Sequence, residues 1–223
     1  MNASRIAAIA VAALAAVLSV FPAHAQTTRG GKGEFYLAPV FTDGKSYSTE
    51  GGSSAKTDTG YGLTLGYAFN FDQHKSLGIE FGWGSQDYRA TIQPGVGNNN
   101  SVVNVNSQID TWTVRFLGTY NFLAGNFTPF VTGGLGWTYL DSNIPTGLPQ
   151  NVCWYYPWYG SSCASYVPTA ATTRFSYNAG AGLRMELGKG FVRGLVNQQY
   201  VDFGGSYGQT AFTQYRIDFG VKF

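Results

Sequence analysis

Apolar and polar residues alternate along most of this chain, and most plainly at 212–223. There Thr213, Tyr215, Ile217, Phe219, Val221 and Phe223 fall on one side, with Gln214, Arg216, Asp218, Gly220 and Lys222 on the other. A period of two predicts a β-strand with one oily and one polar face. Seven further segments follow the same rule: 34–42, 60–71, 76–84, 108–122, 128–140, 173–187 and 191–203. Leu195 and Gln198 blur the last of these, and Pro39, which cannot donate to a ladder, weakens the first. The connections at 72–75, 123–126 and 188–190 are very short, whereas 43–59, 88–107, 141–172 and 204–211 are longer and read as loops, in strict alternation, with Val102, Val103 and Val105 offering an extension of the following strand beyond the membrane. An oily row on every strand, with nothing in the sequence to cover it, calls for lipid outside. Hydrocarbon cannot satisfy the hydrogen bonds of an open sheet edge, so the strands must close on themselves. The expected fold is therefore all-β, an eight-stranded antiparallel transmembrane up-and-down β-barrel with periplasmic turns and extracellular loops.

The amino terminus adds a compartment. A short basic region ending at Arg5, an apolar run at 6–20 and the small residues around Ala25 predict a secretory signal peptide at 1–25, leaving 26–223 as the barrel domain. The run is shorter than the roughly 20 residues of a spanning helix. Charged residues make up 12% of the chain and aromatic ones 16%, with 30 glycines. That is too little charge for an ordinary soluble surface, and the alternation accounts for it. The net charge of +2 comes without a basic cluster, so no nucleic-acid partner is expected. Cys153 and Cys163, the two cysteines of an exported chain, favour a disulfide over metal or redox chemistry.

The polar face carries the candidate chemistry. Glu34, Glu80, Arg115, Arg174, Arg184, Glu186, Arg193, Arg216, Asp218 and Lys222 all point inward on this register, six cations against four anions. An eight-stranded barrel has an interior just wide enough for side chains to fill it. Buried ions there must pair, which predicts a plug of salt bridges. The alternative is a narrow cation-lined conduit through gaps left by inward glycines. Enzyme signals are weak. The lone histidine beyond the signal, His74, falls in a periplasmic turn, the wrong side for a lipid-modifying serine–histidine pair. Two cysteines and one histidine do not make a zinc set. Gly133-Gly134-Leu135-Gly136 lacks the lysine and helix of a phosphate cradle. No catalytic residue and no cofactor is expected. Between the cysteines stand Trp154, Tyr155, Tyr156, Trp158 and Tyr159, which read either as an aromatic knob for a host or envelope surface ligand or as a self-packed loop at the lipopolysaccharide headgroups.

With these residues assembled, the chain resembles the small outer-membrane β-barrel proteins of Gram-negative bacteria, the OmpA-type transmembrane domain and the opacity-type surface proteins. The segments that carry the likeness are Gly-Leu-Gly-Trp-Thr-Tyr at 134–139, Phe-Ser-Tyr-Asn-Ala-Gly-Ala-Gly-Leu-Arg at 175–184 and Tyr-Arg-Ile-Asp-Phe-Gly-Val-Lys-Phe at 215–223. The resemblance implies a monomer in the outer membrane, in contact with lipid and lipopolysaccharide and inserted by the barrel-assembly machinery. Tyr215, Ile217, Phe219, Val221 and Phe223 resemble the signal that machinery reads. No counterpart of the peptidoglycan-binding domain of OmpA-type proteins is expected. Related barrels serve as anchors, adhesins, narrow pores and lipid-modifying enzymes, so the likeness specifies fold better than activity. The expected role is structural or adhesin-like, through the extracellular loops. A narrow porin-like diffusion channel is the second reading and a lipid-modifying enzyme a distant third.

Overall fold

The computed structural model describes residues 29–48, 54–92, 103–145, 150–156, 158, 160–166, 169–202 and 209–223, so the expected signal peptide lies outside the described residues. The strands are β1 Gly33–Thr42, β2 Ser46–Ser48, β3 Ser54–Thr57, β4 Gly60–Asn70, β5 Lys75–Ile92 and β6 Val103–Asn121, followed by β7 Phe127–Pro145, β8 Gln150–Tyr156, β9 Gly160–Tyr166, β10 Thr169–Leu187, β11 Gly190–Asp202 and β12 Gln209–Lys222. Eight of them form the wall in the order β1, β4, β5, β6, β7, β10, β11, β12, each antiparallel to the next. β12 then returns to β1, with Glu34 opposite Lys222 and Phe41 opposite Tyr215, and the sheet has no free edge at membrane level. Pro39 is tolerated at the seam. The β1–β12 ladder lapses between Leu37 and Val40 without losing register, while on the other side Pro39 stays opposite Leu63.

The oily rows face outward. Leu37, Leu65, Ile79, Val114, Leu135, Leu183, Val196 and Ile217 are all exposed and span the middle of the wall. Above them lies an aromatic row in which Trp83 is opposite Trp112 and Trp112 opposite Tyr139, continued around the seam by Tyr215, Phe41 and Tyr61. Below them Phe69, Phe71, Tyr120, Phe122, Phe127 and Phe223 make a second row, all exposed. Trp112 and Tyr120 are eight residues apart on β6, about 27 Å along the strand. Strand tilt shortens this toward the height of an apolar band flanked by aromatic girdles.

The expected loops contain more strand than the sequence pattern indicated. β5, β6, β7 and β10 run for 18, 19, 19 and 19 residues, against the roughly 9–11 a transmembrane strand needs. The segment 88–107 is therefore strand up to Ile92 and again from Val103. The segment 43–59 holds β2 and β3, with Thr57 of β3 opposite Tyr88 of β5. The segment 141–172 holds the end of β7, the β8–β9 hairpin and the start of β10. The cause is physical. Beyond the membrane both faces of a strand meet water, so the hydrogen-bonded ladder continues while the alternation that reports it disappears.

Candidate functional site

The inward face organises into layers, and the charges form two clusters. Nearest the periplasmic turns, Arg184 on β10 reaches across the lumen to Glu34 on β1, donating from Nη1 at 2.9 Å and Nη2 at 2.5 Å. Its Nε donates to Glu186 at 2.7 Å, and Glu186 also pairs with Lys222 at 2.6 Å and with Arg29 at 3.3 Å. The second cluster is centred on Glu80 of β5. Arg216, arriving from β12 on the far wall, donates to it at 2.8 and 2.5 Å, the Tyr36 hydroxyl donates at 2.9 Å, and Arg115 Nη2 lies 3.2 Å away. Arg216 Nε also donates to Asp218 at 2.6 Å, which in turn accepts from Arg193 Nε at 2.8 Å. An aromatic layer separates the clusters: Arg184 stacks 4.1 Å over the Phe191 ring and Arg193 4.3 Å over the Tyr36 ring. Rings of this kind stabilise cations that water no longer reaches.

Above the Glu80 cluster sits a layer of neutral polar groups. Gln199 Nε2 donates to Thr138 Oγ1 at 3.0 Å, Gln214 Nε2 to Gln199 Oε1 at 2.9 Å and Asn197 Nδ2 to Gln214 Oε1 at 3.1 Å. The lumen then widens into a cavity of about 380 Å³ toward the extracellular end, with Arg115 at its floor and Val40, Ile109, Leu140, Val201 and Phe212 among its walls. This is a cup above two ion-paired layers.

Of the ten lumenal charges expected, Arg174 stands apart. It is only half-buried and lies opposite Thr138 on β7, with a buried Nε that has no hydrogen-bond partner among the described residues. The other nine, Glu34, Glu80, Arg115, Arg184, Glu186, Arg193, Arg216, Asp218 and Lys222, are buried and drawn into the two clusters. Sequence reasoning missed Arg29 and the inward rings of Phe130 and Phe191. Arg29, just ahead of β1, is 1% exposed, pairs with Glu186 and donates to the Leu123 carbonyl at 2.6 Å. Phe130 and Phe191 are inward and buried, as is Leu195, whose polar neighbour Gln198 faces the other way. Period two does carry Phe130 and Phe191 to the inner face, but an oily residue there looks like noise until the aromatic layer is seen.

His74 belongs to a periplasmic turn, its Nδ1 2.7 Å from the Asn121 carbonyl oxygen and its ring stacked on Tyr120. No group of three or more His, Cys, Asp or Glu that could hold a metal occurs among the described residues. Cys153 and Cys163 stand directly opposite one another in the β8–β9 hairpin, and their side chains lie outside what is described. Trp154, Tyr155 and Tyr156 fall on β8 and Tyr159 lies outside the described residues, while Trp158 at the hairpin tip is 89% exposed. Tyr215, Ile217, Phe219, Val221 and Phe223 line the lipid-facing side of the closing strand.

The comparisons with known proteins agree with this architecture. Residues 13–223 match the outer membrane protein beta-barrel domain. The solved structure of OprG from Pseudomonas aeruginosa is similar over 90% of this chain and 99% of that one, at 15% identity and a TM-score of 0.51, a likeness of fold. Ail, the attachment invasion locus protein of Yersinia pestis, aligns with 87% of this chain and 99% of its own at 12% identity and a TM-score of 0.48. Neisserial surface protein A aligns with 85% and 97% at 12% identity and 0.46. No curated protein sequence is detectably similar.

Proposed function

The chain belongs to the outer membrane protein beta-barrel family, and we propose that it is a closed barrel of the Gram-negative outer membrane that works through its external face rather than by conducting solutes. The observation that carries this reading is the pairing of charges between opposite walls: Arg184 to Glu34 and Arg216 to Glu80 each cross the lumen. Removing such buried pairs from one another is costly, so the crossing is held shut at two levels. What lies outside the membrane then has to do the work. Four wall strands rise well beyond it, and the β8–β9 hairpin adds an aromatic tip with Trp158 almost fully exposed. Aromatic residues in such settings dominate binding hot spots, and an adhesin-like role for the hairpin follows.

The narrow-pore reading draws on one feature, the cup at the outer mouth. Purified protein in planar bilayers separates the two. The closed reading expects no steady channel, and reproducible unitary conductance overturns it. For the external face, changing Trp154, Tyr155, Tyr156, Trp158 and Tyr159 together to serine is expected to lower attachment of expressing cells to host cells and to surface glycans. Unchanged attachment with normal surface levels removes the aromatic tip from the account.

A further inference from the structure

The Glu80 cluster is unbalanced. Arg115, Arg193 and Arg216 face two carboxylates, Glu80 and Asp218, and all five side chains are buried. One positive charge is therefore left over in a place where an uncompensated ion is expensive. The surplus is localised. Arg216 has bidentate Glu80 and Asp218, and Arg193 has Asp218 and the faces of Tyr36 and Phe191. Arg115 has one oxygen of Glu80 at 3.2 Å and a marginal bond from Nη1 to Gln214 Oε1 at 3.5 Å, and its Nε has no hydrogen-bond partner among the described residues. A guanidinium offers five donors, so most of Arg115's capacity is unused. It is 3% exposed and forms the floor of the cup.

The walls above it change character with height. At the level of Gln199 and Gln214 they are amides and hydroxyls, with Val40 lower down opposite Arg216, while higher up Ile109, Leu140, Val201 and Phe212 stand among Thr111, Thr172 and Thr210. Leu140 lies opposite Thr111, four residues above Arg115 on β6, a rise of about 13 Å measured along the strand. The cup thus has a cationic base, a polar collar and upper walls whose apolar part is Ile109, Leu140, Val201 and Phe212, and its volume falls within the range of pockets that enclose small molecules.

We propose that this cup binds a small amphipathic carboxylate, head down on Arg115 and tail up along the apolar walls. The carboxylate neutralises the surplus charge and accepts from the unused guanidinium donors, and charge-assisted bonds of this kind are about twice as strong as neutral ones. The tail replaces water against the upper walls. Because the plug lies directly beneath, the ligand enters and leaves by the extracellular mouth.

Octanoate is the probe, titrated calorimetrically into the whole protein in phosphatidylcholine nanodiscs, with empty nanodiscs subtracted. Saturable one-to-one binding is expected, at least tenfold tighter than that of acetate, which lacks the tail, and of octanol, which lacks the charge. Arg115→Gln should weaken octanoate tenfold or more and leave the octanol response unchanged. Leu140→Trp, which fills the cup without touching the ion cluster, should abolish binding and covers the case in which Arg115→Gln does not fold. Heat-modifiable gel migration reports folding of both variants. Absence of saturable octanoate binding, equal binding of octanoate and octanol, equal binding of octanoate and acetate, or undiminished binding by folded Leu140→Trp each overturns the proposal.

Discussion

Replacing Glu80 by alanine tests the plug at its most shared residue. Glu80 is 1% exposed and is the acceptor for both guanidinium nitrogens of Arg216 and for the Tyr36 hydroxyl, with Arg115 3.2 Å away. Arg216 keeps Asp218 when Glu80 is lost, but Arg115 keeps only its marginal contact with Gln214. Breaking a buried pair from one side costs about 3–5 kcal/mol, and a carboxylate serving two arginines belongs in the upper half, about 4–5 kcal/mol. At about 1.4 kcal/mol per tenfold, the folding equilibrium should fall by about a thousandfold or more. Reversible urea unfolding of the barrel in lipid vesicles reads this directly, since Trp83, Trp112 and Trp137 face lipid and report insertion by fluorescence. Adding Arg115→Met removes the stranded cation and should recover a substantial part of the loss, because apolar replacement of a buried ion is often neutral or better. A loss below about 1 kcal/mol, the range of solvated pairs, with no recovery in the double variant would mean that water already screens the cluster, and the argument for a closed lumen would fail with it.

Four further outcomes are expected. Because Cys153 and Cys163 are opposite residues of one hairpin, unreduced protein should resist maleimide labelling, and reduction should cost about 2–3 kcal/mol of stability on the chain-entropy view. Free labelling without reductant rules the bridge out. Phe223 closes the barrel through backbone bonds of 3.1 and 3.0 Å to Gly33, so its deletion should lower the inserted fraction measured against total protein. An inserted fraction equal to that of the parent removes this role. A side chain at Gly66 would run into the Tyr36 ring, and Gly66→Val should destabilise the barrel by about 1–3 kcal/mol through overpacking in the same urea assay. Asp72 Oδ1 accepts from the backbone N–H groups of His74 at 2.6 Å and Lys75 at 2.7 Å, bonds that hold its carboxyl below the ordinary 3.8. That contribution to stability is complete above the ordinary value and is lost as pH falls through the depressed one. A carboxyl-carbon NMR titration showing Asp72 at or above the ordinary value would contradict the turn geometry.

The wall was legible because lipid imposes a rule on every strand that crosses it. Tyr61, Leu63, Leu65, Tyr67 and Phe69 on β4 had to be apolar at alternate positions, and Gly62, Thr64, Gly66 and Ala68 between them had to be small or polar to fit a narrow interior. The rule ends where the lipid ends. On the upper part of β5, Ser85, Gln86, Asp87, Tyr88 and Arg89 meet water on both faces, and only the pairing of Gln86 with Ile109 and Arg89 with Asn106 reveals a strand. Arg29 was illegible for a different reason. Its partners are Glu186 and the Leu123 carbonyl, and nothing local marks a residue whose burial depends on contacts that distant in the chain.

Counting charges and placing them lead to different physics. Six inward cations against four anions suggests a diffuse positive lumen, the setting for a cation-lined conduit. With Arg174 set aside and Arg29 included, the contacts resolve this into two groups of three cations and two anions, separated by the ring layer of Tyr36 and Phe191. The lower surplus is shared around Glu186, where Arg184, Lys222 and Arg29 converge on one carboxylate, and Arg29 finds a carbonyl as well. The upper surplus has no such outlet, because above Arg115 the cup begins. Identical stoichiometry therefore leads to two settings: the lower surplus is spread over shared acceptors, while the upper one rests on a guanidinium at the floor of the cup. The difference is set by what borders each cluster, so a lumen crossed by ion pairs can still present a charge at the floor of its outer cup.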